Sequence, residues 1–275
     1  MQVNPKLEVC DAMVFTMPDR LYRGYVFDLD GTVYLGDELL SGAVPLIKTL
    51  RRAGCRVVFV SNNPSYTRQQ IAEKLTWLGI PTSHQEIINS SYVLVNYLRK
   101  KSPGCTVFPI GEEPLYDELL TAGFTISEDP TAIDYVIASF DRTFEYRKLQ
   151  VAFDAIRAGA RFIATNADRY CPVAAGGEPD AAAIIAAIEA CTNTSVEEVV
   201  GKPSTIMAHT ILDLLALEPS DCLLTGDRLE TDILMAQRVG MATALVLTGA
   251  TTLSQLAESE IVPDFVIKRL DQLLP

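Results

Sequence analysis

Tyr25-Val26-Phe27-Asp28-Leu29-Asp30-Gly31-Thr32 decides how the rest of this chain is read. Its first half is apolar and β-prone, so it reads as a buried strand ending at a glycine. A carboxylate inside such a run is costly to bury unless it is paired or binds a metal. In extended backbone, residues two apart face the same side, so Asp28 and Asp30 can approach one site as the strand ends. Gly31 then lets the chain turn away. The ordinary alternative is a pair of helix-capping aspartates, but Asp28 lies within the run rather than after it.

Working outward, Ser41 is placed to cap a helix whose apolar Val44, Ile47 and Leu50 share one face, with Gly54 closing it. A second strand follows at 56–60. Ile71, Leu75 and Leu78 then mark a helix ended by Gly79 and Pro81. This β-α-β-α order is the signature of a parallel sheet with helices on both faces. Further strands are predicted at 106–110, 135–139, 162–165, 222–225, 243–247 and 265–267. Helices are predicted at 115–122, 149–158, 181–190, 206–215 and 231–239. That is too many strands for one simple sheet, so two α/β layers are expected.

Open parallel sheets bind ligands outside the carboxyl ends of their strands. Three further strand ends here carry polar residues. Ser61-Asn62-Asn63 follows the strand at 56–60 and offers hydroxyl, amide and freed N–H groups for an anion, although Ser-Asn-Asn-Pro is also an ordinary turn. Gly201-Lys202-Pro203-Ser204 places a lysine that proline holds extended, with Ser204 able to cap the next helix. Gly226-Asp227-Arg228-Leu229-Glu230-Thr231-Asp232 repeats the first pattern: Asp227 ends a buried strand, and Asp232 lies about a turn further on. Asp28, Asp30 and Asp227 would bring hard oxygen ligands to one point, which suits Mg²⁺. Ser61 and Lys202 supply donors for phosphate oxygens. Together they point to phosphoryl chemistry.

The chain has 275 residues, 48% of them hydrophobic, enough for a sizeable core. Its formal net charge is −12, which argues against nucleic-acid or anionic-membrane partners, since those need clustered positive charge. No run of roughly 18 apolar residues spans a bilayer. The start, Met1-Gln2-Val3-Asn4-Pro5-Lys6, does not read as a secretory signal, so a cytoplasmic location is expected. Cys10, Cys55, Cys105, Cys171, Cys191 and Cys222 form no CxxC pair, which speaks against a zinc knuckle, and most sit in apolar runs as small buried thiols. His84 and His209 are too few and too far apart for a multi-histidine metal site.

Asp-Leu-Asp-Gly-Thr, Ser-Asn-Asn, Gly-Lys-Pro and Gly-Asp-Arg-Leu-Glu-Thr-Asp, in that order, resemble the four motifs of the haloacid dehalogenase superfamily. The closer resemblance is to its NagD-like and p-nitrophenyl phosphatase branch. Tyr34-Leu35, Gly42, Phe140-Asp141-Arg142 with Tyr146, Ile163-Ala164-Thr165-Asn166 with Asp168, and Leu245-Val246-Leu247-Thr248-Gly249 support it. The resemblance runs from about Tyr25 to the C-terminus. It implies a Rossmann-like, doubly wound parallel-sheet core with an inserted α/β cap domain. The core would comprise 1–82 and 178–275, and the cap 83–177, which takes up the surplus strands. Relatives often read Pro-Gly-Ala-Gly or Pro-Asp-Ala-Gly where this chain has Pro179-Asp180-Ala181-Ala182, and often Asn-Pro-Asp where it has Asn166-Ala167-Asp168.

The resemblance implies a Mg²⁺-dependent phosphatase acting on small phosphate monoesters such as sugar phosphates. Asp28 would be the nucleophile and Asp30 the general acid and base. Asp28, the Asp30 carbonyl, Asp227 and Asp232 would hold the metal. Ser61, Asn62, Asn63 and Lys202 would bind the phosphate. Arg142, Asn166, Asp168 and Asp180 are candidates for contacts to the leaving group. A homodimer through the cap is a further implication. The alternatives are a phosphotransferase or mutase on the same core, and a non-catalytic phospho-accepting module. The second fits less well, because a pure receiver has no use for Asp30. Residues 83–177 carry a net charge of −3 and the remainder −9. The part holding the motifs is thus the more acidic, and a bound cation would invert the field there.

Overall fold

The computed structural model describes residues 15–173 and 176–275. They form two compact units: one from the residues up to Val57 together with Leu217–Pro275, the other Val58–Ala216.

The first unit is built on parallel strands in the order Phe265–Ile267, Ala242–Val246, Cys222–Gly226 and Gly24–Asp28. All five residues of the Gly24–Asp28 strand are buried, as expected for a strand covered on both faces. Tyr25 and Phe27, two apart and so on one face, stack with ring centroids 6.2 Å apart. Pairing Phe27 with Thr225 brings the C-terminal ends of the two strands into step. Asp28 and Asp227 therefore leave the sheet at the same edge. The helix Ala43–Arg52 buries Ala43, Leu46, Ile47 and Leu50, while Val44 is only half-buried. Its N-cap is Gly42, in the left-handed conformation and without a side-chain bond, rather than Ser41. A Cβ at Gly42 would lie 2.7 Å from the Asp271 backbone nitrogen. That close approach puts the glycine at the cap and the serine outside it.

The second unit contains a five-stranded parallel sheet in the order Glu198–Val199, Arg161–Ala164, Tyr135–Ala138, Thr106–Ile110 and Thr125–Ile126. Phe108, Val136 and Phe162 from its strands pack with Ala152 and Ile156 of the helix Tyr146–Ala158 and with Ile184, Ile185 and Ile188 of the helix Ala181–Thr192. Each fully buried large side chain of this kind contributes about 1.5–3 kcal/mol. Tyr170–Val173 and Gly176–Pro179 pair with each other antiparallel. The expected surplus of strands is thus a second layer of α/β structure.

In this unit the sequence reading missed the short strands Thr125–Ile126, Tyr170–Val173, Gly176–Pro179 and Glu198–Val199, and a strand and helix that follow one another. The strand Ile87–Asn89 pairs in parallel with Phe59–Ser61 and runs straight into the helix Ser90–Lys101. Asn89 marks that junction by accepting from Tyr92 N–H at 3.0 Å, and Arg99, Lys100 and Lys101 sit at the favourable C-terminal end. The helix buries Ser90 and Ser91 along with Val93, Leu94, Val95 and Leu98, so it presents no clean 3.6-residue stripe.

The cysteine expectation needs correction. Cys105 and Cys222 are buried, Cys55 and Cys171 half-buried, and Cys191 exposed; Cys10 lies outside the described residues. Cys191 falls near the end of a helix, where the apolar run faces outward in part. Both histidines are exposed.

Candidate active site

In the first unit three of the four sequence-predicted aspartates bring their carboxylates together. Asp28, Asp227 and Asp232 are 6%, 3% and 1% exposed. Each offers a carboxylate oxygen, and these oxygens all lie within 4.8 Å of one another. Three carboxylates so close in a buried setting oppose one another's charge. A hard divalent cation resolves that conflict, and an all-oxygen donor set is what Mg²⁺ takes. The residues present therefore fit such an ion.

Glycines make the seats for two of these side chains. Asp227 Oδ2 accepts from the Ala250 N–H at 2.6 Å, and the Asp227 carbonyl accepts from Thr251 N–H at 3.1 Å. A Cβ at Gly249 would lie 2.6 Å from Asp227 Cγ and 2.7 Å from its Cβ, and closer still to Oδ2. One at Gly31 would lie 2.5 Å from the same oxygen. Gly31 also has φ +84°, a conformation L side chains rarely adopt, so it serves both the turn and the fit. Thr248 ties this loop down by donating to the Gly31 carbonyl at 2.6 Å. Asp232 belongs to a short π-helical turn, Leu229–Ile233, and its Oδ2 accepts from Arg228 N–H at 3.2 Å. A Cβ at Gly226 would overlap Asp232 Cβ and Cγ. Gly31, Gly226 and Gly249 were visible as motif letters, but their task, leaving room for carboxylates, was not. Asp30 is exposed, two residues past the buried Asp28, and stands outside the carboxylate group.

In the second unit, Ser61 is the last residue of the strand Arg56–Ser61 and is 5% exposed. Its Oγ accepts from Asn63 N–H at 3.1 Å, and Asn63 Oδ1 accepts from Ser65 N–H at 2.8 Å, so the segment is a tight polar turn. The Asn62 side chain turns to Lys202 instead. Its Oδ1 accepts from Lys202 N–H at 2.7 Å, and its Nδ2 donates to the Lys202 carbonyl at 3.1 Å. Lys202 is 5% exposed and its bond to Pro203 is cis. Ser204 caps the helix Thr205–Leu215 as expected, accepting from Ile206 N–H.

The remaining candidates separate into two groups. Asn166, wholly buried, donates from Nδ2 to Asp168 Oδ2 at 3.0 Å and to Asp180 Oδ1 at 3.1 Å. Asp168 Oδ2 also accepts from Asn62 Nδ2 at 2.9 Å. Arg142 pairs with Glu112 and, at 3.9 Å, with Glu178. Glu112 holds the guanidinium by two bonds, Nε–Oε1 at 2.7 Å and Nη2–Oε2 at 2.8 Å, and accepts from the Arg142 N–H at 3.2 Å. The Arg142 side chain remains 57% exposed. The same bond to Arg142 holds the Glu112 carboxyl below the usual carboxylate range, against the opposing effect of its burial.

Comparison with known proteins agrees with this chemistry. A model of haloacid dehalogenase-like hydrolases matches residues 25–125, and a second model of HAD-like hydrolases matches residues 199–273. The chain is 41% identical to the sugar-phosphatase AraL of Bacillus subtilis over 244 residues, 89% of each chain. The crystal structure of a 4-nitrophenylphosphatase from Thermotoga maritima superimposes with a TM-score of 0.88 at 34% identity, over 92% of this chain and 96% of that one. A p-nitrophenyl phosphatase from Archaeoglobus fulgidus gives 0.88 at 31% identity, over 92% and 98%. Strand-end aspartates, their order along the chain and these likenesses agree: the chain belongs to the haloacid dehalogenase-like hydrolases, in the branch of the NagD-like and p-nitrophenyl phosphatases.

Proposed function

We propose that this hydrolase is a Mg²⁺-dependent phosphatase of small phosphate monoesters, sugar phosphates foremost, that turns over through an aspartyl-phosphate on Asp28. The buried group of Asp28, Asp227 and Asp232 carries the reading, since its oxygens lie within 4.8 Å of one another at strand ends. The sugar-phosphate preference rests on the name of the relative AraL.

In this mechanism an Asp28 carboxylate oxygen attacks phosphorus while the bond from phosphorus to the ester oxygen breaks. Asp30 gives its proton to the departing alkoxide. A water then loses a proton to Asp30 and attacks the aspartyl-phosphate, releasing inorganic phosphate and restoring both carboxyl groups. Splitting the displacement in two is the gain from covalent catalysis, and the acid–base help is typically worth about 10²–10⁴-fold. The exposure of Asp30 supports its role, because it must reach both an alcohol and a water. Asp28, Asp227, Asp232 and the Asp30 carbonyl would hold the Mg²⁺, which offsets charge developing on the phosphoryl oxygens.

Ser61, Asn63 and Lys202 stand at the motif positions that supply donors to those oxygens. Arg142 is proposed as a leaving-group contact, since Glu112 orients its guanidinium while leaving it open to solvent. Asn166 donates to both Asp168 and Asp180, and Asp180 also accepts from Ala181 N–H, which supports a role in holding the chain rather than touching substrate. We take 83–177 as the inserted region that selects substrates and, on resemblance, as the surface of a homodimer. Sedimentation giving a monomer mass would remove the dimer. No helix among the described residues is long and apolar enough to cross a membrane; a cytoplasmic location is part of the proposal.

The test is a panel of phosphate monoesters assayed with Mg²⁺ and with EDTA. The reading expects Mg²⁺-dependent phosphate release, highest for sugar phosphates. Absence of release from every ester would overturn it, and transfer to an alcohol instead of water would favour a phosphotransferase.

A further inference from the structure

We infer that Asn62 and Asp168 are positioning residues, with Asp168 locking the Asn62 carboxamide in one orientation so that Asn62 clasps the backbone of Lys202. Asn62 meets Lys202 N–H with its Oδ1 at 2.7 Å and the Lys202 carbonyl with its Nδ2 at 3.1 Å. Both backbone groups of one residue are thus taken by one carboxamide, as a neighbouring strand would take them.

A carboxamide can turn over, exchanging its oxygen and nitrogen. Turned over, Asn62 would set Oδ1 against the Lys202 carbonyl and Nδ2 against the Lys202 N–H, acceptor on acceptor and donor on donor. Asp168 settles the choice. Its Oδ2 lies 2.9 Å from Asn62 Nδ2, and a carboxylate oxygen accepts from an N–H but has nothing to offer Oδ1. Asp168 is itself braced. The same Oδ2 accepts from Asn166 Nδ2 at 3.0 Å, and Asn166 is oriented by Thr165, whose Oγ1 donates to its Oδ1 at 2.8 Å. The Asp168 carbonyl accepts from Ala182 N–H at 3.1 Å.

The backbone on the other side leaves no slack. Gly201 N–H donates to the Thr165 carbonyl at 2.8 Å. A Cβ at Gly201 would lie 2.5 Å from that carbonyl oxygen and 2.7 Å from Asn62 Oδ1. Glycine at 201 is what lets the clasp close. The consequence is that Lys202, a long and flexible side chain, springs from a Cα fixed on both flanks. Fixing the root of such a chain removes part of the entropy it would lose on gripping an anion.

The catalytic side of this inference rests on the proposed phosphatase reading; the structural side does not. The two are therefore measured separately. The first measurement is amide hydrogen exchange at Lys202 by NMR, in the whole protein. Asp168→Ala should speed exchange of that amide by about 10-fold or more, as the network loses its anchor. Asp168→Asn, which keeps an acceptor oxygen, should restore protection to within about 3-fold of wild type. Asn62→Asp, which cannot donate, should behave like Asp168→Ala; it stands beside Asn62→Ala in case that variant fails to fold. Unchanged Lys202 exchange in both Asp168→Ala and Asn62→Asp would overturn the clasp.

The second measurement is kinetic, with p-nitrophenyl phosphate as substrate and inorganic phosphate as competing ligand. Asn62→Ala should lower kcat/KM by about 10–100-fold, the range seen when supporting residues are removed. The inhibition constant for phosphate should rise in Asn62→Ala, while the Mg²⁺ requirement stays within about 2-fold of wild type. Adding Asp168→Ala to Asn62→Ala should cost less than about 2-fold more, because Asp168 acts through Asn62. Multiplying losses, with Asp168→Asn as damaged as Asp168→Ala, would overturn the inference and make Asp168 a substrate contact. A wild-type protein without phosphatase activity would count against the proposed function, and the exchange measurement would still decide the clasp.

Discussion

Gly249→Ala adds one methyl group and tests how tightly Asp227 is seated. The new Cβ would lie 2.6 Å from Asp227 Cγ and 2.7 Å from its Cβ, where ordinary contact begins near 3.4 Å. The carboxylate must retreat by roughly 1 Å, and a misplacement of that size in a catalytic group costs on the order of 10²-fold in rate. The retreat also draws Oδ2 from the Ala250 N–H, now 2.6 Å away. Overpacking and the weakened bond together cost about 1–3 kcal/mol of stability. The assay is a Mg²⁺ titration of p-nitrophenyl phosphate hydrolysis, paired with a thermal melt. kcat/KM should fall on the order of 100-fold, and half-activity should require about 10–100-fold more Mg²⁺. Gly36→Ala is the control. Gly36 has φ +58° and nothing within 4 Å of its would-be Cβ, so that variant carries backbone strain alone. It should lose about 1 kcal/mol or more of stability and keep its Mg²⁺ requirement. Wild-type rate and Mg²⁺ requirement in Gly249→Ala would refute the reasoning, because the seat would then not govern the site.

Mg²⁺ at about 100 times its dissociation constant should stabilise the chain by about 2.7 kcal/mol, or roughly 5–10 °C in melting temperature, and Asp232→Asn should shrink that shift. An equal melt in EDTA and Mg²⁺ would count against the carboxylate group as a metal site. Arg142→Ala should raise KM for a sugar phosphate about 10-fold with little change in kcat; a fall in kcat alone would exclude the leaving-group role. The same pair predicts a pH effect. Arg142 holds the Glu112 carboxyl below its ordinary range, so its stabilisation is complete above the ordinary carboxylate pKa and lost as pH falls through the lowered one. The melting difference between wild type and Arg142→Ala should therefore close in acid, and a difference that widens there would contradict the sign. Burial pushes the thiols of Cys105 and Cys222 up to about 11, whereas Cys191 is exposed. At pH 8 a disulfide reagent should modify Cys191 in the native protein and reach Cys105 and Cys222 only on unfolding, as peptide mapping would reveal.

The strand ends were the legible part of this chain. A charged residue inside an apolar run is a strong signal, because burying it needs a reason. Asp28 announced itself that way, Asp227 by following a buried strand, and the structure gathers them with Asp232. The β-α alternation gave the parallel sheets, and the surplus of strands pointed to a second layer. What stayed hidden depends on approach between distant backbones. Gly249 reads as a turn glycine until Asp227 Cγ is found 2.6 Å from its would-be Cβ. Asn62 reads as an anion donor by its neighbours Ser61 and Asn63, yet its carboxamide serves Lys202, 140 residues away. The helix Ser90–Lys101 was missed because buried serines erase the apolar stripe. Ser41 was chosen as a cap on residue preference, and a 2.7 Å approach to Asp271 put Gly42 there instead.

The central claim is that Asp28 carries the phosphoryl group. The most direct measurement mixes the protein with Mg²⁺ and a phosphate monoester, quenches in acid within one turnover, and maps the peptides by mass. The account predicts a peptide containing Asp28 heavier by one phosphoryl group, absent without Mg²⁺ and absent in Asp28→Asn, which should also be inactive. Phosphate release by Asp28→Asn at near the wild-type rate, or a phosphoryl group trapped on any other residue, would contradict it.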